Sequence, residues 1–198
     1  MQQGREVSGV EHADSQERTT YKSEFGEYLS TLLGAVFLAV FVILFIARAF
    51  TVEGPSMLPT LHTGERLLID KVTYRLRTPR RGEVIVFRYP ADPEQYFIKR
   101  VIGLPGDTVV IRGGKVYVND QCLEEDYVTS PILGEFGPYM VPEQSYFVLG
   151  DNRNNSEDSR SERVGYVSDE LIIGRAIWRY WPITRVGHIA DSPVLASP

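Results

Sequence analysis

Twenty consecutive uncharged residues, "YLSTLLGAVFLAVFVILFIA" from Tyr28 to Ala47, constrain this chain more than any other feature. A helix of that length, at ~1.5 Å per residue, reaches the ~30 Å thickness of a bilayer's hydrocarbon core. Two other readings compete: a buried helix of a soluble fold, and a cleaved leader, which the small-x-small triplet Ala47-Arg48-Ala49 invites. A secretory apolar region, however, runs only ~7–15 residues and follows a short basic segment. Here 27 residues come first, with Arg5, Arg18 and Lys22 against Glu6, Glu11, Asp14, Glu17, Glu24 and Glu27. A retained transmembrane anchor over residues 28–49 is therefore expected, preceded by a polar tail, residues 1–27. Arg18 and Lys22 before the run, against Arg48 after it, favour an inside N-terminus and place the rest on the outer face of the cell membrane.

A 43% hydrophobic content supports a packed core, and a net charge of −5 speaks against nucleic acid as a partner. The densest basic stretch, "RLRTPRRGE", reads as a solvated turn. Cys122 is alone and His12, His62 and His188 are scattered, so neither a disulfide nor a metal site is expected. No cofactor is expected.

From Phe50 onward the pattern changes to short β runs. "ERLLIDKV", "GEVIVFRY", "YFIKRVIG" and "QSYFVLGD" are rich in β-branched and aromatic residues and end near turn residues. "DTVVIRGGKVYVND" is a hairpin signal, two alternating runs around Gly113-Gly114. The expected fold is a mainly β, antiparallel domain over residues 50–198 on one N-terminal membrane helix, with an inserted sub-lobe at about 105–144. In "AIWRYWPI", core packing is the expected role of Trp178, Tyr180 and Trp181, with lipid contact as the alternative.

Ser56 stands nine residues past the apolar run, in Gly54-Pro55-Ser56-Met57-Leu58. The fifth position is not glycine, so this is not the nucleophile elbow of an α/β-hydrolase. A histidine base would have to be His62 or His188, and His62 sits in a turn. Serine is also activated by a neutral lysine, whose pKa an apolar setting must lower from ~10.4 towards ~7–8. Lys71 and Lys115 adjoin turn signals, whereas Lys99 stands among Phe97, Ile98, Val101 and Ile102. On a strand it shares a face with Phe97 and Val101 while Arg100 points the other way. Arginine keeps its proton, so Lys99 alone of the pair can be a base. Spacing leaves two readings of Lys99 open, a buried base and a lysine snorkelling from an edge strand. The third cluster, "GDNRNNSEDSR", is poor as a calcium loop because Arg153 and Ser156 occupy ligand and glycine positions. It offers a hydroxyl, Ser156, and an Asp158/Arg160 ion pair.

Taken in order after one membrane helix, "GPSMLPTLHTGE", "GEVIVFRYP", "FIKRVIGLPGD" and "GDNRNNSEDSR" resemble the bacterial type I signal peptidases, in their single-anchor branch. The resemblance runs from the anchor to about Trp181. It implies a two-lobed antiparallel β fold, similar to that of self-cleaving repressors. It further implies Ser56 as nucleophile, Lys99 as general base and Ser156 as the hydroxyl that orients the lysine amine. Asp158 and Arg160 correspond to a supporting ion pair, and Met57 to the residue packed beneath the nucleophile. Gly54 replaces a serine that other members use in the oxyanion hole. The implied substrates are exported preproteins cut after A-x-A sites, with residues around Phe50–Glu53 and Val84–Phe87 as candidate pocket walls. A monomer in contact with membrane lipid is expected. Three alternatives stand beside this reading: a non-catalytic anchored β module binding export partners, a peptidase dedicated to one pilus or conjugation substrate, and self-clipping at Ala47-Arg48-Ala49.

Overall fold

The computed structural model describes residues 26–38 and 47–191, and the chain divides into two units, Met1–Leu44 and Phe45–Pro198. In the first, residues 26–38 form a helix, α1, exposed along its length. Among the described residues no helix is long and apolar enough to cross a membrane. Residues 39–46 of the expected anchor lie outside the described residues, and its last positions are not helical. Ala47–Thr51 is strand β1, paired from Ala47↔Asp70 to Thr51↔Arg66 with β2, Arg66–Asp70. The strand starts there because the uncharged run ends and Arg48, Phe50 and Val52 begin a two-residue alternation.

After β2 comes a single helical turn, α2 (Thr73–Leu76), then β3 (Val84–Tyr89) and the long β4 (Asp92–Gly103). The hairpin of β5 (Thr108–Arg112) and β6 (Lys115–Val118) follows, then β7 (Gln121–Cys122) and β8 (Phe136–Met140). The chain continues through β9 (Ser145–Leu149), β10 (Val167–Ser168), β11 (Ile172–Trp181) and β12 (Gly187–His188). Two antiparallel sheets result. The larger runs β1-β2-β11-β3-β4-β9-β10, with β12 on β11; the smaller runs β7-β6-β5-β8 and falls within the segment expected as a sub-lobe. The mainly β, antiparallel expectation holds. Gly113 and Gly114 both take positive φ, 56° and 78°, the geometry a two-residue hairpin turn needs and a Cβ would strain.

The central strand β3 is buried on both faces, which is why it reads as an unbroken apolar run. Val84 and Val86 join one core cluster with Leu67, Ile69, Met57 and Leu61, while Ile85 and Phe87 join another with Val101 and Val148. The smaller sheet packs Val109, Ile111, Val116 and Val118 with Ile102, Phe147 and Leu149.

Two details depart from expectation. Trp178, Tyr180 and Trp181 are not core residues: they are a third to a half exposed, beside the still more exposed Ile183. The C-terminal half of β11 is paired edge to edge with β2 through Trp181↔Arg66, but this in-plane pairing leaves the rings partly uncovered. "RLRTPRRGE" is not a plain solvated turn either. It includes the end of α2, and Arg77 is tied to the buried Glu83 through two hydrogen bonds of 2.5 and 3.2 Å.

Candidate active site

Ser56 leaves β1 on a tight turn. Gly54 takes φ +82°, and the Thr63 hydroxyl donates to its carbonyl at 3.1 Å. Beyond Ser56 the backbone makes one helical turn, with the Leu61 N–H donating to the Met57 carbonyl at 2.9 Å. Met57 is 1% exposed and Leu61 fully buried, so the core grips this turn immediately after the serine. Met57 is thus buried in the core under the turn that carries Ser56.

Lys99 is on β4 opposite Ile85. The strand alternation places it between Phe97 and Val101, which belong to one core cluster, while Ile98 and Ile102 belong to the opposite faces' clusters. Lys99 is 4% exposed; its Nζ lies 5.0 Å from the Phe97 ring centre, 2.9 Å from Ser56 Oγ and 3.0 Å from the Ile98 carbonyl. It is not a snorkelling surface lysine. Burial holds its pKa down from 10.5 to about 8, against the upward pull of Asp158, Glu157 and Asp151. A protonated amine donates to Oγ across this distance; a neutral one can accept the Ser56 proton through its lone pair. Neither His62 nor His188 lines the cleft around Ser56, and His188 is instead packed edge-on against Trp178.

The Gly150–Arg160 loop closes over the serine turn. The Asn152 backbone N–H donates to the Ser56 carbonyl at 3.0 Å, and its side-chain amide donates to the Pro55 carbonyl at 3.1 Å. Asp158 is buried, accepts the Gly150 N–H at 3.0 Å and is paired with Arg160 through contacts of 2.8 and 2.9 Å. Ser156 lines the cleft, yet its buried Oγ has no hydrogen-bond partner among the described residues. The lysine amine turns instead to Ser56 and the Ile98 carbonyl, and Ser156 packs against Gly150.

Residue types and spacing did not reveal what fixes this loop. Arg100, next to Lys99 but on the opposite face, grips both oxygens of Asp151 at 2.9 and 2.7 Å. The Thr60 hydroxyl donates to the same carboxylate at 2.6 Å. Asp151 therefore ties β4, the turn after Ser56 and the loop together. In sequence it looks like one more loop aspartate, and its partners lie 51 and 91 positions away.

The cleft has a volume of about 1030 Å³. One bank is formed by residues 50–56 and the other by residues 95–99, with Leu67 and Val86 at its floor. Phe50–Glu53 all line it, as expected; of Val84–Phe87 only Val86 does, because Ile85 and Phe87 face the other core cluster. β1 is the end strand of its sheet, so its outer edge can accept an extended peptide.

The family described as "Signal peptidase, peptidase S26" matches residues 25–181. The "Probable signal peptidase I-2" of Synechocystis sp. is 47% identical over 81% of this chain and 75% of its own length. The "Signal peptidase I" of Leptolyngbya laminosa is 45% identical, covering 84% of this chain and 85% of its own. A signal peptidase I from Enterococcus faecalis, known by crystal structure, is 36% identical over 50% of this chain and 97% of that one, at a TM-score of 0.44.

Proposed function

Because this chain belongs to the signal peptidase family, peptidase S26, we propose that Ser56 and Lys99 are the nucleophile and general base of its reaction. The chain is a serine endopeptidase of the signal peptidase I type and acts on the signal peptides of preproteins. The observation that carries the residue assignment is the 2.9 Å approach of a buried, pKa-depressed lysine amine to a serine hydroxyl in an open cleft.

In this reading neutral Lys99 accepts the Ser56 proton as Oγ attacks the scissile carbonyl, giving a tetrahedral intermediate. The Ser56 backbone N–H is the oxyanion donor that the turn itself offers, since Gly54 brings no hydroxyl. Protonated Lys99 then gives its proton to the departing amine, leaving an acyl-enzyme. Lys99 next takes a proton from water, which attacks the ester and releases the acid. An extended substrate lies along the β1 edge, its small side chains against Phe50, Val52, Leu67, Val86 and Ile98. Bulky side chains meet those walls, consistent with a small-x-small preference. Asp158, Arg160 and Ser156 hold and line the loop over the turn, Met57 supports the turn from below, and Gly54 shapes it.

The family is membrane-associated. For this chain we read the apolar run from Tyr28 as a single-pass anchor with the N-terminus inside. The uncharged run and the exposed cluster of Trp178, Tyr180, Trp181 and Ile183 support a membrane-surface enzyme. Co-anchoring with the substrate raises the effective concentration of both partners. Self-clipping at Ala47-Arg48-Ala49 would require β1 to leave its pairing with β2.

The test is cleavage of a preprotein by wild type, Ser56→Ala and Lys99→Ala, with mass spectrometry of the product termini. Wild type cuts after a small-x-small site and both folded variants are inactive. Equal activity in all three would remove both residues from the mechanism. A second expectation concerns Gly150, where an added Cβ would run into Ser156 Oγ and the Ser56 carbonyl oxygen. Gly150→Ala displaces the loop from the serine turn and lowers kcat/KM by roughly 10²-fold, the effect of about 1 Å of misplacement. An unchanged kcat/KM would contradict that packing.

A further inference from the structure

The basic stretch that the catalytic reading leaves unused walls a second cavity, of about 730 Å³. It opens at the end of the large sheet where β1 and β11 begin and β2 and β3 end, as the pairings Arg48↔Ile69 and Ile172↔Phe87 require. Five cations from separate elements converge on it: Arg48 from β1, Lys71 after β2, Arg75 and Arg77 from and after α2, and Arg88 from β3. Asp169 and Glu170 are the carboxylates in its wall. The whole chain carries −5, so this concentration of positive charge runs against the sign of the molecule. It is a local arrangement rather than a general basicity.

Three of the five cations, Arg48, Arg75 and Arg88, are not paired with a carboxylate among the described residues. Arg77 is held by Glu83, which fixes one guanidinium in the wall. Arg75 and Arg88 are exposed and have no carboxylate partner among the described residues. Arg48 is also exposed; its guanidinium lies over the Phe50 and Tyr96 rings, 5.0 and 5.3 Å from their centres, a contact that leaves its N–H donors available. Unneutralised arginines around one concavity repel each other, and an anion that several of them share relieves the repulsion. Planar guanidinium forks match the paired oxygens of a phosphate, which accepts from several directions at once.

We propose that this cavity is a binding site for a phosphate-bearing anion, with Arg48, Arg75 and Arg88 as its principal donors. The phosphate can belong to an anionic lipid headgroup or be free in solution. Leu76, 83% exposed between Arg75 and Arg77, places an apolar tip beside the cations, and Arg48 directly follows the uncharged run in sequence. Both features fit a headgroup. Phe50 and Tyr96, under Arg48, line the peptide cleft, so Arg48 connects the second cavity to residues of the first.

The test uses the full chain in an uncharged detergent at low salt. Thermal unfolding is followed during titration with phosphatidylglycerol, phosphatidylcholine or inorganic phosphate. A ligand of the folded state raises Tm once its concentration L passes Kd, by an amount that grows with ln(1 + L/Kd). Phosphatidylglycerol or phosphate should give such a rise. The concentration at which the rise sets in should increase at least about tenfold in Arg75→Gln/Arg88→Gln, which removes two charge-assisted contacts. A rise with phosphatidylglycerol alone assigns the site to a lipid headgroup; a rise with inorganic phosphate at equal or lower concentration assigns it to free phosphate. The proposal is overturned if neither anion raises Tm, if phosphatidylcholine acts equally, or if the double variant responds as wild type does.

Discussion

Lys99→Met cripples cleavage and makes the protein harder to unfold at pH 7. The two effects have one cause. Lys99 is 4% exposed with no carboxylate bonded to its amine, and burial lowers its pKa from 10.5 to about 8. A lysine with a depressed folded pKa destabilises the fold wherever both states are protonated, that is, below pH 8. Between about 8 and 10.5 the unfolded chain binds more protons, so stability rises with pH; above 10.5 the deficit has vanished. At ~1.36 kcal/mol per pKa unit the deficit at pH 7 is roughly 3 kcal/mol. Methionine fills the space without a charge but forfeits two hydrogen bonds, each worth about 1 kcal/mol, so a gain of roughly 1–3 kcal/mol is expected. Cleavage falls roughly 10²- to 10⁴-fold, the worth of a positioned general base. Urea unfolding at pH 7 and pH 10.5 checks the first statement: the gain is present at pH 7 and absent at pH 10.5. A variant less stable than wild type at pH 7 would contradict it.

The neighbouring residue behaves in the opposite way. Arg100→Ala destabilises the protein by roughly 3–5 kcal/mol, because it leaves a buried carboxylate without its counter-charge. Arg100 and Asp151 are each 1% exposed and joined by two hydrogen bonds; Arg100 also donates to the Gly82 carbonyl at 2.8 Å and stacks 4.1 Å from the Tyr127 ring centre. Without Arg100, Asp151 keeps only the Thr60 hydroxyl as a side-chain partner among the described residues. The loop then loses its hold on β4, and Asn152 its placement against Ser56, so kcat/KM falls along with stability. Combining Arg100→Ala with Asp151→Ala removes the stranded charge and recovers part of the loss, which a double-mutant cycle in urea measures. Two adjacent cations of one strand thus have opposite signs in stability. The difference lies in their partners, a carboxylate for Arg100 and a hydroxyl and a carbonyl for Lys99.

Much of this was readable before the structure was known, where local periodicity carries the information. Alternation along "YFIKRVIG" placed Lys99 on the face of Phe97 and Val101 and Arg100 on the other, and the structure has both so. Gly113-Gly114 marked its hairpin because two-residue turns demand positive φ. What local pattern could not show is pairing across the chain. Arg100 with Asp151, Thr60 with Asp151, and Arg153 with Glu125 are joined only because β4, the serine turn and the smaller lobe meet in space. The aromatic residues of "AIWRYWPI" suggested a core because strands of such composition are commonly covered. Here β11 is paired with β2 as far as Trp181↔Arg66, yet its rings stay partly exposed at the surface. Residues 47–49 were expected at the end of the anchor because they adjoin the uncharged run. Pairing with Arg66–Asp70 draws them into the sheet instead. Ser156 lines the cleft, while the Lys99 amine turns to Ser56 and a backbone carbonyl.

The dyad stands or falls on the protonation state of one amine, and the pH dependence of kcat/KM on a preprotein reads that state in the free enzyme. If neutral Lys99 is the base, kcat/KM rises about tenfold per pH unit below the lysine's pKa and levels off above about 8. Lys99→Met retains no such limb in its residual rate. A wild-type limb centred near 6.5, the ordinary range of a histidine, or the same limb surviving in Lys99→Met, would mean that another group takes the proton from Ser56.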